Sequence, residues 1–443
     1  MSEPVIQSLV ARRIWDSRGR PTVEAEITLS DGAVGRGIAP AGASRGSREA
    51  IDKRDGDKRF GGFDVRDALR GISAEIAPAL EGLAPFDQAS IDAKLVALDG
   101  TPSKARLGGN ALTAVSLGVL HAAAASRGLP LWRYCLGDRP AILPLPEIQI
   151  FGGGAHAGRR TDIQDFMIVA PRAKTFAEAL EVTAEVYRAA GAIMAERGQL
   201  QGVADEGGWW PVFSSNEKAL ETLMRSIERA GLAPGEDVSL SLDVAASEFG
   251  KAGRYRLGLE QRELDRDALA EMLLRWCARY PVLSIEDPFA EDDEKGFEAF
   301  TAAVGDRIQV IGDDYLVTNA SRIAEAARRC SVNAVLVKVN QAGTVSEAKA
   351  ACDEARRSNF GTIVSARSGE TEDTSIVHLA IGWGAGQLKV GSFARSERMA
   401  KWNEALRIEE ALGSKARFAG LDELPMRRKA AKLAQPDSGV PTE

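Results

Sequence analysis

The chain has 443 residues, of which 44% are apolar and 27% charged, and it carries a net charge of −7 at neutral pH. That length exceeds one ordinary domain and suits a barrel with an appendage. The acidic balance argues against nucleic acid or a membrane surface as the general partner.

The N-terminal run Met-Ser-Glu-Pro-Val-Ile-Gln has neither the basic flank nor the apolar core of a signal peptide. No apolar run approaches the roughly 20 residues that span a bilayer. Residues 3–40 alternate in short β-type runs, with turn signals at Ser17-Arg18-Gly19 and Ser30-Asp31-Gly32, which predicts an antiparallel meander. From Glu49 to about Ala125 the pattern becomes helical and rich in alanine and leucine. Leu129-Pro130 and Arg139-Pro140, followed by Pro144 and Pro146, mark a junction. The expected domains are therefore an α+β unit over 1–140 and a second unit over 141–443. Cys135, Cys277, Cys330 and Cys352 lie far apart without CxxC spacing, so free thiols in a reducing cytoplasm are expected.

Beyond the junction, short Val/Ile/Leu runs alternate with helical segments, the pattern of a parallel sheet with crossover helices. The runs end on polar residues of sorted chemistry. Val238–Leu242 ends at Asp243, Val282–Ile285 at Glu286, and Ile308–Ile311 leads to Asp313. Ala334–Val337 ends at Lys338, Gly361–Val364 leads to Arg367 and Ser368, and Gly386–Leu388 ends at Lys389. A β/α barrel needs such residues at strand ends, because its active site lies at that face. Strands also stop at polar residues for no chemical reason, which explains one or two of these endings but not six. Three carboxylates suit a hard divalent cation such as Mg²⁺. Two lysines opposite them, one with its pKa lowered by neighbouring cations, suit metal-assisted proton abstraction.

Seven stretches carry a family resemblance: Asp16-Ser-Arg-Gly19, Asp205-Glu-Gly-Gly208, Asp243-Val-Ala-Ala-Ser-Glu-Phe249, Ser284-Ile-Glu-Asp-Pro-Phe289, Val337-Lys-Val-Asn-Gln341, Arg367-Ser-Gly-Glu-Thr-Glu-Asp373 and Leu388-Lys-Val-Gly391. Together they resemble enolase (phosphopyruvate hydratase), in order, from about residue 4 to about residue 413. The resemblance implies an N-terminal α+β cap on an eight-stranded β/α barrel with one early antiparallel strand. It implies two Mg²⁺ ions, the first on Asp243, Glu286 and Asp313 and the second on Ser44 of a mobile loop. By the same resemblance Lys338 is the base, Glu206 the acid at the leaving hydroxyl, and Lys389 the neutraliser of developing charge. Arg367 and Ser368 would hold the phosphoryl group, with His156 beside it. The partners implied are a phosphorylated or phosphonylated glycerate and further copies of the chain, as a dimer or octamer.

Each role has a plainer rival. Glu206 precedes two glycines and could be a turn residue; Arg367 could be an ion-pair partner. His121 and His378 lie on helical runs and read as structural, and Trp209 and Trp210 read as loop packing.

Four positions depart from the family near the site. Its His-Arg-Ser is here Ala366-Arg367-Ser368, and its Ser-Gly-Ala-Ser-Thr-Gly is Ala41-Gly-Ala-Ser-Arg-Gly46. Its Gln-Glu-Phe is Gln164-Asp165-Phe166, which keeps Gln164 with the substrate contacts and Asp165 with the catalytic acids, and its Asn-Gly-Gly is Gly152-Gly153-Gly154. The missing histidine at Ala366 would leave room in the phosphorus pocket, and Arg45 could pair with a carboxylate there. The sequence thus favours a modified substrate such as a carboxyphosphonoglycerate. The alternatives are an ordinary glycolytic enolase and, more weakly, a non-catalytic binding protein of this fold.

Overall fold

The computed structural model describes residues 3–428. The polar stretch of sequence that follows Pro425 falls almost wholly in residues 429–443, outside the described residues. Ile6–Trp15, Pro21–Leu29 and Val34–Ile38 form an antiparallel meander in that order. Its first turn is held by Asp16, whose Oδ1 accepts from the amides of Arg18 and Arg20, both at 2.9 Å. The helix Gly109–Ser126 lies across this sheet. A Cβ at Gly35 would sit 2.1 Å from the Ala122 nitrogen, so only glycine permits the approach.

Helical structure begins later than the sequence pattern suggests. Residues 50–58 form no helix or strand. Their backbone bonds outward instead: Ala50 N–H to the Gln341 carbonyl and Ile51 N–H to that of Ser103. Asp55 accepts from the amides of Arg66 and Asp67, so its side chain starts the next helix rather than continuing one.

Eight strands close the barrel in chain order: Leu145–Gly152, Asp165–Val169, Ser239–Asp243, Val282–Glu286, Gln309–Gly312, Ala334–Val337, Gly361–Ser365 and Gln387–Ser392. The second strand runs antiparallel to both neighbours and the remaining pairs are parallel. Six of the following helices begin at a side-chain cap, from Thr175, Ser215, Asp265, Asp293, Asn319 and Thr344. Each cap satisfies an amide that the first turn leaves free. These caps fix where the six helices begin.

The meander and the helices over it share one apolar core, and the barrel with its outer helices has another. Gly109–Ser126 serves both: Ala111, Val115 and Val119 face the first, Leu117, Leu120 and Ala124 the second. Leu131 and Leu136 also pack into the barrel core, so the packing changes hands a few residues before residue 140. The four cysteines are free thiols, and among the described residues no helix is long and apolar enough to cross a membrane.

Candidate active site

The strand-end residues converge at one mouth of the barrel. Asp243 and Glu286 close adjacent parallel strands in direct register, and Asp313 and Lys338 follow the next two. Lys389 differs from expectation: it lies within its strand, which runs on to Ser392, beside a register shift between Lys389 and Gly391. Gly391, at φ +115°, supplies backbone that other residues resist. The glycine in Leu388-Lys-Val-Gly391 thus marks a bulge rather than a strand terminus.

The two lysines sit on the three carboxylates. Lys389 Nζ is 2.8 Å from Glu286 Oε2, 3.0 Å from Asp243 Oδ2 and 3.3 Å from Asp165 Oδ2. Lys338 Nζ bonds Asp313 Oδ2, while Asp313 Oδ1 accepts from Gln341 Nε2 at 2.8 Å. All five side chains are buried. Burial opposes the charge on Lys389, yet Asp243, Glu286 and Asp165 override it and hold its pKa well above the usual lysine range. Lys338 is likewise raised, burial being outweighed by Asp313, so here it is an ammonium and not yet a base. Glu286 is pushed well above the carboxylate range by burial first and Asp243 second. The negative charge gathered at this mouth exceeds what the lysines compensate.

That imbalance is the chemistry of a hard-cation site. The donors are all carboxylate oxygens, and the buried Glu286 Oε1 has no hydrogen-bond partner. Asp243, Glu286 and Asp313 therefore fit Mg²⁺. A nearby group, Asp287, Asp313 and Asp314, also has oxygens within 4.8 Å of one another. Asp287 is spent on the backbone, accepting from the amides of Asp313 (2.9 Å) and Asp314 (2.7 Å), so it fixes the turn that aims Asp313.

A second group, His156, Asp165 and Glu206, adjoins Lys389 through Asp165. His156 Nδ1 is 3.3 Å from Asp165 Oδ1 and its Nε2 is 3.7 Å from Glu206 Oε1. Burial would lower the imidazole pKa, but Glu206 and Asp165 outweigh it and raise it to about 9. The Asp205-Glu-Gly-Gly208 loop is pinned by Ser392 N–H to the Glu206 carbonyl (2.9 Å) and Tyr187 Oη to that of Gly207 (2.8 Å). Trp209 stacks on Tyr187 at 4.6 Å and donates to its carbonyl, which accounts for it as loop packing. His121 meets Ser375 and His378 meets Glu404, away from the mouth.

A cavity open to solvent lies among these groups. Ser44, His156, Gln164, Glu206, Lys338 and Lys389 line it, and so do Ala366, Arg367 and Ser368. Ser368 Oγ lies 3.2 Å from His156 Nε2 and accepts from the Ala43 amide, and Gln164 Nε2 donates to Asp243 Oδ2. The Arg367 guanidinium is engaged by Glu49, at 3.0 Å from Oε2 and 3.2 Å from Oε1, and by the Ser44 carbonyl. Arg45 is the exception among the substrate contacts predicted from sequence. It does not line the cavity; its guanidinium stands 3.8 Å from Asp52 with the side chain 44% exposed. A carboxylate of its own chain draws it outward along the loop.

Sequence reasoning passed over several residues that shape the site. Gln149 donates to Asp165 and accepts from the Gly208 amide, tying the start of the second barrel strand to the Asp205-Glu-Gly-Gly208 loop. Arg398, fully buried, bonds the carbonyls of Arg367, Ser368 and Val390. Glu49 faces Arg367 from the other domain. None forms a strand-end pattern, and only Gln149, polar among the apolar Ile148, Ile150 and Phe151, left a sequence signal.

Two family models match the chain: "Enolase, N-terminal domain" over residues 6–135 and "Enolase, C-terminal TIM barrel domain" over residues 140–426. "Enolase 1" of Desulfitobacterium hafniense (strain Y51) is 48% identical over 416 residues, 93% of this chain and 95% of that protein. "Enolase" of Acidothermus cellulolyticus is 47% identical over 425 residues, 95% of this chain and 98% of the relative. With both halves matched and relatives this similar over nearly their whole length, the chain belongs to the enolase family.

Proposed function

We propose that this lyase is an enolase in the ordinary sense, removing water from 2-phosphoglycerate to give phosphoenolpyruvate with Mg²⁺ as its cofactor. The observation that carries the reading is the buried cluster in which two lysines already occupy the oxygens of three strand-end carboxylates. The printed names of the two relatives support it as well.

Mg²⁺, held by Asp243, Glu286 and Asp313 with a second ion near Ser44, would draw off the charge that builds on the substrate carboxylate as its α-proton leaves. The residues supply the rest. Lys338 owes its raised pKa to Asp313; once that carboxylate has another partner, the amine can give up its proton and take the one from the α-carbon. Glu206, which also lines the cavity, must first take up a proton; in that form it donates it to the β-hydroxyl as the carbon–oxygen bond breaks, and water departs. Lys389 stays charged and faces the enolised carboxylate. Arg367, exchanging Glu49 for substrate, and Ser368 hold the phosphoryl oxygens, with the imidazolium of His156 beside them.

The modified-substrate reading draws support from Ala366, which offers the cavity only a methyl group. It loses the residue meant to recognise the extra carboxylate, since Arg45 faces Asp52. A non-catalytic role sits poorly with an intact set of ligands and lysines. The cytoplasm is the proposed location, in keeping with the free thiols, and a homo-oligomer is the proposed working form, on the family resemblance; sedimentation tests the latter. The test of function is turnover of 2-phosphoglycerate in Mg²⁺ and its loss in chelator. Normal turnover in chelator refutes the reading.

A further inference from the structure

One acid inside the barrel has no part in the roles above. Glu147 lies on the first barrel strand, fully buried, and is the register partner of Lys389 on the eighth. Neighbouring strands in register put paired side chains on one face, so Glu147 shares the barrel interior with the lysine. Its Oε1 accepts from Ser241 Oγ, on the third strand two residues before Asp243. Its Oε2 is buried and has no hydrogen-bond partner. The same is true of Asp165 Oδ2, which meets Lys389 only as an ion pair at 3.3 Å.

Leaving one carboxylate oxygen dry and unpaired costs free energy that an apolar residue of similar size would avoid. An orphaned buried oxygen whose charge reaches a neighbouring ammonium has a use if that ammonium must move. In the present arrangement Lys389 rests on Asp243 and Glu286. Those are the oxygens proposed to bind the divalent cation, and an ammonium cannot keep them once a doubly charged ion is there. It must lose its proton or find other anions within the same buried space.

We propose that Glu147 is a positioning residue, whose free oxygen, together with Asp165, receives the Lys389 ammonium when a divalent cation takes Asp243 and Glu286. Glu147 Oε2, free of any hydrogen bond, and Asp165 Oδ2, already 3.3 Å from the ammonium, are then the two halves of the seat. Lys389 keeps its charge and its place at the mouth, and Glu147 acts on the reaction only through it. The proposal rests on the Mg²⁺ site assigned above.

Calorimetric Mg²⁺ binding without substrate tests it, on the wild type, Glu147→Gln, Lys389→Met and the double variant. Loss of the seat should weaken Mg²⁺ binding about tenfold in Glu147→Gln. In the Lys389→Met background the same change should matter less than about twofold, because nothing needs to be reseated. If Glu147 merely attracted the cation by its own charge, the loss would be equal in both backgrounds, and that result overturns the proposal. So does no loss in the wild-type background. A second measurement avoids variants altogether: in a crystal structure of the wild type with Mg²⁺ bound, Lys389 Nζ should lie within about 3.2 Å of Glu147 Oε2. The nitrogen still resting on Glu286 refutes the seat. A wild type that binds no Mg²⁺ defeats the functional reading itself, which separates the two failures.

Discussion

Replacing Asp313 by asparagine strikes the point where fold and chemistry depend on the same atoms. The asparagine carbonyl can still accept from Gln341, but its amide then faces the Lys338 ammonium, donor against donor. Breaking a buried ion pair from one side costs about 3–5 kcal/mol. Here Glu286 also acts on Lys338, so the lower end, about 3 kcal/mol, is expected in chelator. The proposed Mg²⁺ site would lose one of three charged ligands, where disturbing even an outer-shell partner costs 10- to 100-fold; affinity should therefore fall at least about 100-fold. Urea denaturation in chelator reads the first effect and calorimetry the second. Activity should collapse at low Mg²⁺ and return in part when Mg²⁺ is raised. Full activity at low Mg²⁺ with unchanged stability would show that Asp313 is neither a ligand nor the partner that keeps Lys338 charged.

Acid and base should separate. Lys338→Ala should remove exchange of the substrate α-proton with solvent, at a cost in rate of about 100- to 10,000-fold, while Glu206→Gln retains exchange and blocks loss of water; equal loss of exchange in both would merge the roles. His156 predicts a pH dependence of stability. Its folded pKa of about 9 lies above the ordinary value near 6.5, so its contribution, about 3 kcal/mol from the shift, is complete below about pH 6.5 and vanishes as the pH rises through 9. Denaturation midpoints in chelator should show that decline in the wild type and lack it in His156→Asn. Ala366→His should alter turnover of 2-phosphoglycerate by far less than the roughly 100-fold that a missing charge-stabilising donor costs, because Arg367 and Ser368 already line the pocket; a large gain would mean the pocket was built for something else.

The sequence made the barrel legible because its period is written in alternating apolar runs, and because each run ends on a residue whose chemistry faces the mouth. Asp243, Glu286, Asp313 and Lys338 could be placed from that pattern alone. Lys389 could be found but not located, since a bulge at Gly391 carries its strand three residues further. The stretch from Glu49 looked helical because alanine-rich periodicity says nothing of backbone partners supplied by Ser103 and Gln341. Arg45 illustrates the opposite difficulty. Neighbouring Ser44 in sequence, it turns to Asp52, seven positions on, and no local pattern states which carboxylate an arginine will choose. Glu49, Gln149, Arg398 and Glu147 act across domains or strands, so their partners become visible only once the chain has closed.

The most direct test of the central claim is a side-by-side assay of 2-phosphoglycerate and a carboxyphosphono analogue, each in Mg²⁺ and in chelator. The account predicts turnover of 2-phosphoglycerate to phosphoenolpyruvate in Mg²⁺, none in chelator, and no advantage for the analogue. Turnover of the analogue alone, or turnover of 2-phosphoglycerate that survives chelation, would contradict it.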